Sequence, residues 1–209
     1  MREYHKIYGP FTRETEGPNR NKVKIGFWSK PEFQYLQDNV WIFTEKIDGT
    51  NIRVHWDGHK VVFGGRTDNA AIPAKLFDHL RNTFLEELFE QAFGDTEVTL
   101  YGEGFGAGIQ KGGGNYGPNQ EFILFDVRIG DLWLERDSVT EIAQKLGVPI
   151  VPIMYVCTLN EMIEQMRAGG IKSLSGDFEA EGVVGVPAVP LASRSGERII
   201  VKVKSADFR

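Results

Sequence analysis

Residues 41–56, Trp-Ile-Phe-Thr-Glu-Lys-Ile-Asp-Gly-Thr-Asn-Ile-Arg-Val-His-Trp, decide how this chain folds. The apolar run 41–43 predicts a strand, Asp48-Gly49-Thr50 predicts a tight turn, and 51–56 predict a second strand. This arrangement places Lys46 at the end of an apolar strand, next to a turn.

Periodicity outward from this segment predicts an α+β fold with mostly antiparallel strands and three main helices. The helices are predicted over 73–93, from Asp137 or Ser138 to Leu146, and from Thr158 or Asn160 to Arg167, with a short helix at 31–38. Strands are predicted at 22–28, 61–63, 97–101, 121–127, 132–134, 182–186 and 198–204. The Asp57-Gly58 pair predicts a hairpin between 51–56 and 61–63.

Composition is that of an ordinary globular protein, with 209 residues of which 41% are hydrophobic and 25% charged. This length suits one domain over residues 1–209. The lone Cys157 favours a reducing, cytoplasmic compartment. No uninterrupted apolar run approaches the roughly 18 residues of a membrane helix, so we expect no membrane association. The net charge of −5 argues against a nonspecific nucleic-acid coat protein.

Lys46 is a candidate nucleophile. A lysine amine has an unperturbed pKa of about 10.4, so at neutral pH it is protonated and cannot attack. Burial or neighbouring cations favour the neutral form. The Lys-x-Asp-Gly motif alone is explained more simply by a surface lysine beside a turn. A catalytic role for Lys46 therefore needs support from basic and metal-binding residues elsewhere in the chain.

Such residues occur at predicted strand ends. They are Arg66, Glu103, Phe125, Asp126, Glu181, Lys202 and Lys204. The last two alternate with valines, so the period of two places both lysines on one face of a strand.

Taken in order, Lys-x-Asp-Gly, Arg, Glu, Phe-Asp, Glu-Gly and Lys-x-Lys resemble the motifs of the covalent nucleotidyltransferases, which include DNA ligases, RNA ligases and mRNA capping enzymes. The motifs span 45–204, about three quarters of the chain. Glu45, Asn51 and Arg66-Thr67 resemble the RNA ligase 2 family. DNA ligases usually carry arginine where Asn51 stands, and Arg53 is the alternative for that role.

The resemblance implies an antiparallel-sheet nucleotidyltransferase fold, an ATP-grasp-like ligase adenylation domain with flanking helices. The chain departs from the pattern of DNA ligases and capping enzymes in that no C-terminal OB-fold is expected after Lys204. It also implies that Lys46 attacks ATP to form lysyl-AMP, passes AMP to a 5′-phosphate end and joins that end to a 3′-hydroxyl, as in RNA repair. Lys202 and Lys204 would hold phosphates and favour the neutral form of Lys46.

The remaining roles follow from the same resemblance. Glu181 would position Mg²⁺ or Mn²⁺, and Glu103 would bind the ribose or assist the metal. Phe125 would stack on adenine, with Phe122 as the alternative, and Asp126 would anchor a neighbouring group. Nucleotide contacts are expected from Glu45, Asn51 and Arg66, with Asp48 in support.

Three alternatives stay open from the sequence. The chain resembles an RNA ligase acting on RNA ends or a nicked duplex, but a compact ATP-dependent DNA ligase shares most of the motifs. A noncatalytic nucleotide or nucleic-acid binding module is the third. The chain ends soon after Lys204, so a partner that supplies a C-terminal domain is also expected.

Overall fold

The computed structural model describes residues 1–209 and has the predicted α+β class, with antiparallel sheets and few helices. In chain order the elements are β1 (Phe11–Arg13), β2 (Val23–Trp28), α1 (Pro31–Tyr35), β3 (Val40–Glu45), β4 (Thr50–Trp56), β5 (Val61–Gly64), α2 (Ala74–Thr83), α3 (Glu86–Phe93), β6 (Val98–Phe105), β7 (Glu121–Ile129), β8 (Leu132–Trp133), α4 (Arg136–Leu146), β9 (Ile153–Thr158), α5 (Leu159–Arg167), β10 (Gly182–Pro187) and β11 (Val201–Lys204). Short 3₁₀ turns lie at Gly113–Asn115 and Ser205–Phe208.

The chain divides into two compact units. One, here called the five-stranded unit, contains Met1–His5 and Asp48–Val151, and the other, the four-stranded unit, contains Lys6–Ile47 and Pro152–Arg209. The segment after Lys46 therefore leads from one sheet into the other rather than closing a hairpin. The expectation of a single adenylation domain over 1–209 stays a prediction.

The four-stranded unit is an antiparallel sheet in the order β11–β10–β3–β9, accompanied by the β1–β2 ribbon. Alternation along β3 buries Trp41 and Phe43 on the side covered by α5. Helix α5 starts with a capping box, because Thr158 Oγ1 accepts from the Glu161 backbone N–H at 3.1 Å. Of the two predicted N-cap residues, Thr158 and Asn160, Thr158 is therefore the one that caps the helix.

The five-stranded unit is an antiparallel sheet in the order β5–β4–β6–β7–β8. The predicted hairpin through Asp57-Gly58 is confirmed, since His55 pairs with Val62. One face of this sheet packs under α2, α3 and α4 around Ile52, Val54 and Leu100. The other face carries the polar residues of β4 and β6.

The prediction of one long helix over 73–93 is wrong. Two helices form instead, α2 and α3, because the backbone leaves helical geometry at Phe84 (φ −101, ψ 78) and Leu85. Phe84 is buried and packs edge-on against Phe122, with ring centroids 5.1 Å apart. Apolar steps of three and four residues fit two short helices as well as one long helix, so the pattern could not locate the break.

Two other boundaries differ from the prediction. Helix α4 starts at Arg136 without a side-chain cap from Asp137 or Ser138, and the Arg136 guanidinium donates to the Val151 carbonyl instead. The predicted short helix at 31–38 begins at Pro31 and ends at Tyr35. Because the 73–93 segment forms two helices, the chain has five α-helices where three main helices and a short one were predicted.

None of these helices combines the length and apolar character that crossing a bilayer demands.

Candidate active site

The strand order brings the ends of three strands together in the four-stranded unit. Strand β10 lies between β3 and β11, with Val183 opposite Glu45 and Gly182 opposite Lys204. The register continues past β3, because the Lys46 backbone N–H donates to the Gly182 carbonyl at 2.9 Å. Side chains 46, 181 and 204 therefore meet although they are far apart in the sequence.

The Glu181 carboxylate bridges two lysines. Its Oε2 accepts from Lys46 Nζ at 2.5 Å, and its Oε1 accepts from Lys204 Nζ. The Lys46 and Glu181 side chains are about one fifth exposed, 22% and 20%. Partial burial strengthens this charge-assisted contact relative to an ion pair in open water.

The pKa of Glu181 reflects two opposed influences. Burial raises it, but the charge of Lys46 and the hydrogen bonds from Lys204 and Lys46 outweigh that influence and hold the pKa below its ordinary value. Glu181 is therefore a carboxylate at neutral pH. It orients the amine of Lys46, and its low basicity makes it a poor proton acceptor.

Lys202 and Lys204 lie on one face of β11, as the period of two predicted. Val201 and Val203 are buried on the opposite face, whereas the two lysines are half-buried. Two lysines contact one carboxylate, and Lys202 lies on the same face of β11 as Lys204. Such a cluster is suited to a polyphosphate.

Gly182 is required by this close strand packing. Its φ is +155, and a Cβ built on it would stand 2.1 Å from the Val203 carbonyl oxygen. Any larger residue would push β11 away from β10, and with it Lys204. The Glu-Gly pair thus supplies a carboxylate and the tight approach that places it between two lysines.

Glu45 points away from this cluster. Alternation along β3 directs it to the core side, where it is 1% exposed. Its two oxygens accept hydrogen bonds from Ser173 Oγ and from the Leu174 backbone N–H, the latter at 3.0 Å. Its expected contact with nucleotide stays a prediction, and the structure assigns its carboxylate to holding the 173–174 segment.

Asn51 and Glu103 lie opposite each other in the five-stranded unit, on neighbouring strands β4 and β6. The Asn51 Oδ1 atom is buried and has no hydrogen-bond partner. A buried carbonyl oxygen without a donor is costly, so this atom can accept a hydrogen bond from a donor outside the chain. Gly49 precedes β4, and only glycine fits there because a Cβ would stand 2.2 Å from the Gly104 carbonyl oxygen.

Phe125 and Asp126 lie on β7 beside the N-terminal segment. The Tyr4 hydroxyl donates to Asp126 Oδ2 at 2.7 Å, and the Tyr4 ring meets Phe125 edge-on at 5.1 Å. Asp126 thus accepts a hydrogen bond from the N-terminal segment, and the supporting role that the resemblance implies for it stays a prediction. Phe122, the alternative stacking residue, is 1% exposed within the apolar core and is not accessible to a base.

Arg53 does not take the role left open by Asn51. It is fully buried and donates to the carbonyls of Gly65 and Met1 and to Asp68. These bonds hold the segment on either side of Arg66. Arg66 itself is exposed in that segment and forms no ion pair.

Asp48 lies at the start of the five-stranded unit. Its backbone N–H donates to the Tyr116 hydroxyl at 3.2 Å, which ties the motif turn to the glycine-rich segment after β6. The Gln110 side chain donates to the Gly49 carbonyl at 2.9 Å. The glycine-rich segment therefore packs on the motif turn.

No group of three His, Cys, Asp or Glu side chains forms a cage for a metal ion. Glu181 supplies one carboxylate among lysines. Mg²⁺ commonly binds through one or two carboxylates together with substrate phosphates and water, so this donor set fits such an ion only when a phosphate shares it.

Sequence reasoning missed two residues, Ser173 and Tyr4. Both act through single hydrogen bonds to residues more than 100 positions away, Glu45 and Asp126. Neither belongs to a motif or a periodic pattern, so no local signal identifies them.

The same fold occurs in solved structures of a Naegleria gruberi RNA ligase. A lysine-to-alanine variant with ATP and Mn matches with a TM-score of 0.68 at 21% identity, covering 85% of this chain and 52% of that one. An apo variant matches with a TM-score of 0.67 at 23% identity, covering 85% and 53%. A glutamate-to-alanine variant with AMP and Mn matches with a TM-score of 0.68 at 21% identity, covering 85% of this chain and 53% of that one. The chain therefore spans about half the length of these proteins.

The chain therefore has the fold of those ligases. Among curated proteins, no sequence matches the chain. The sequence model of the RNA ligase family matches residues 39–204, which include every candidate residue of the site. The chain belongs to the RNA ligase family.

Proposed function

We propose that this protein is an ATP-dependent RNA ligase in which Lys46 carries AMP. The family match supports the class, and one observation supports the nucleophile: the Lys46 amine lies 2.5 Å from Glu181 in a cluster with Lys204. The Naegleria gruberi proteins of this fold were solved with ATP or AMP and Mn, which favours ATP and a divalent ion here.

The proposed first step joins the Lys46 nitrogen to the α-phosphorus of ATP. The N–P bond forms, the bond from the α-phosphorus to the bridging oxygen breaks, and pyrophosphate leaves. Lys46 must first lose a proton and its contact with Glu181. Phosphates beside Lys202 and Lys204 would attract those ammonium groups and compete with Glu181 for Lys204. This competition supports a site that rearranges when ATP binds.

A divalent ion would be held by Glu181 together with phosphate oxygens, and Glu103 is the second expected acidic residue. Such an ion supplies charge neutralisation at the phosphates. The protein's own contribution is positioning: Glu181 fixes the amine at the strand end, and β11 presents two ammonium groups on one face.

The five-stranded unit carries the residues proposed for nucleoside recognition. The unpaired Asn51 Oδ1 is an acceptor for a ligand donor, and the half-buried Phe125 ring offers a stacking surface. Glu103 and Arg66 are proposed for the ribose and for the incoming 5′-phosphate. AMP then moves to that phosphate, and a 3′-hydroxyl attacks the activated end and releases AMP.

Incubation with α-labelled ATP and Mg²⁺ tests the first step. We expect a covalent AMP adduct with the wild-type chain and none with Lys46→Ala. Lys145→Ala, which removes an exposed lysine on α4, is the matched control and should label normally. A labelled Lys46→Ala protein would refute the assignment of the nucleophile.

A second assay separates the RNA ligase from the compact DNA ligase and the binding module. Nicked duplexes differ only in whether RNA or DNA supplies the 3′-hydroxyl. We expect faster sealing with RNA. Equal or faster sealing of the all-DNA nick would favour a DNA ligase. A separate measurement of ATP binding and pyrophosphate release tests the binding module, which would bind ATP without releasing pyrophosphate.

A further inference from the structure

The β1–β2 ribbon exposes aromatic side chains to solvent. Phe27 is 62% exposed, Ile25 46% and Tyr8, just before the ribbon, 39%. Trp28 packs on Phe11 with ring centroids 4.8 Å apart, whereas its neighbour Phe27 is exposed. Exposed apolar patches that are rimmed by polar residues mark binding surfaces.

Lysines accompany these rings. Lys24 Nζ lies 4.9 Å from the Phe27 ring centroid, and Lys6 and Lys30 each lie 4.8 Å from that of Tyr8. These are cation–π distances. We call Tyr8, Phe27, Lys6, Lys24 and Lys30 the basic–aromatic surface.

The charge of this region is opposite to that of the chain. Residues 6–30 contain six lysines or arginines and two glutamates, a net charge of +4, whereas the whole chain has −5. This contrast favours an anionic partner.

Half of these cations form ion pairs. Arg13 pairs with Asp207, Lys24 with Glu14 and Lys30 with Glu197. Lys24 and Lys30 belong to exposed pairs that contribute little free energy and can exchange for a phosphate. Lys6, Arg20 and Lys22 form no ion pair.

The surface is continuous with the candidate active site. The Tyr8 carbonyl accepts from the Lys202 backbone N–H at 2.9 Å, and Tyr8 forms a parallel bridge with Val201. The basic–aromatic surface thus begins beside β11, the strand that carries Lys202 and Lys204. A polynucleotide whose end lies at Lys46 would pass over it.

We propose that the basic–aromatic surface binds a single-stranded segment of the RNA substrate next to the end being sealed. Bases stack on Phe27 and Tyr8, and the lysines contact the phosphates between them. Stacking platforms with interleaved cations are how proteins hold single strands without sequence preference. This inference rests on the proposed ligase function.

Fluorescence anisotropy with a labelled single-stranded RNA of about 12 nucleotides tests the proposal. We expect Phe27→Ala to bind about tenfold more weakly, as the loss of one stacked base implies. Lys24→Ala should lower the slope of log K against log salt by about 0.7. The control is Tyr35→Ala, which removes a ring that is 85% exposed on α1 and should bind like wild type.

Two companion measurements keep the outcomes separate. Lys46 adenylylation needs no RNA, so its rate should be unchanged in Phe27→Ala. If the wild-type chain forms no AMP adduct, that result would refute the ligase function rather than the RNA-binding role of this surface. Inorganic polyphosphate has phosphates but no bases, so Phe27→Ala should weaken the binding of RNA and leave the binding of polyphosphate unchanged. Equal losses for polyphosphate and RNA, or wild-type RNA affinity in Phe27→Ala, would overturn the proposal.

Discussion

The two glutamates nearest the candidate nucleophile serve opposite purposes. Glu45 precedes Lys46 in sequence, yet it is 1% exposed and both oxygens are bound by Ser173 and Leu174. Glu181 is distant in sequence, about one fifth exposed, and binds only the ammonium groups of Lys46 and Lys204 among the described contacts. A buried carboxylate with fixed donors stabilises a fold, whereas a partly open one paired with lysine ammonium groups can exchange partners when substrate arrives.

The largest expected effect comes from Glu181→Gln. The amide keeps the shape but removes the charge that orients two ammonium groups, so adenylylation should fall about 10²–10³-fold, the range seen when one preorganised electrostatic contact is lost. The initial rate of labelled-AMP transfer measures this.

Glu179→Gln is the matched control for that change. Glu179 pairs with Arg209 and does not contact the lysine cluster, so its variant should label at the wild-type rate. Equal loss in both variants would show that Glu181 has no special role.

The next effect is on stability. Glu45→Ala leaves the Ser173 hydroxyl and the Leu174 N–H without their buried acceptor, and we expect a loss of about 3 kcal/mol in the free energy of unfolding. Urea denaturation followed by circular dichroism measures it. An unchanged midpoint would remove the contrast between the two glutamates.

Ser173→Ala sharpens the same comparison on a smaller scale. One hydrogen bond to the carboxylate disappears while the Leu174 N–H bond remains, so we expect a loss of about 1 kcal/mol. A loss as large as that of Glu45→Ala would mean that Ser173, rather than the carboxylate, holds the segment.

The smallest expected effect is on the pH dependence of stability, through the ionisation of Glu181. Because the folded-state pKa of Glu181 lies below its unfolded value, its ionisation stabilises the fold above the unfolded pKa. That contribution falls away as the pH drops from the unfolded pKa through the lower folded one. Stability measured between pH 7 and pH 3 should therefore decline less steeply in Glu181→Gln than in wild type. Parallel curves would contradict this linkage.

Much of this protein follows from local sequence. Alternation predicted that Lys202 and Lys204 share a face, Asp57-Gly58 predicted its hairpin, and Thr158 predicted a helix cap; each is present in the structure. The motif order predicted the RNA ligase family, which the match over residues 39–204 confirms. The first three features depend on residues within a few positions of each other, and the family depends on the order of short motifs along the chain.

The tertiary structure decided what depends on distant partners. The strand order β11–β10–β3 joins Glu181 to Lys46 across 135 positions, and the packing of Phe84 splits one predicted helix into two. Arg53 became a buried structural residue because the carbonyls of Met1 and Gly65 meet it there. Local propensity fixes the period of a segment, but the partner of a side chain depends on which strands become neighbours, and no local pattern encodes that choice.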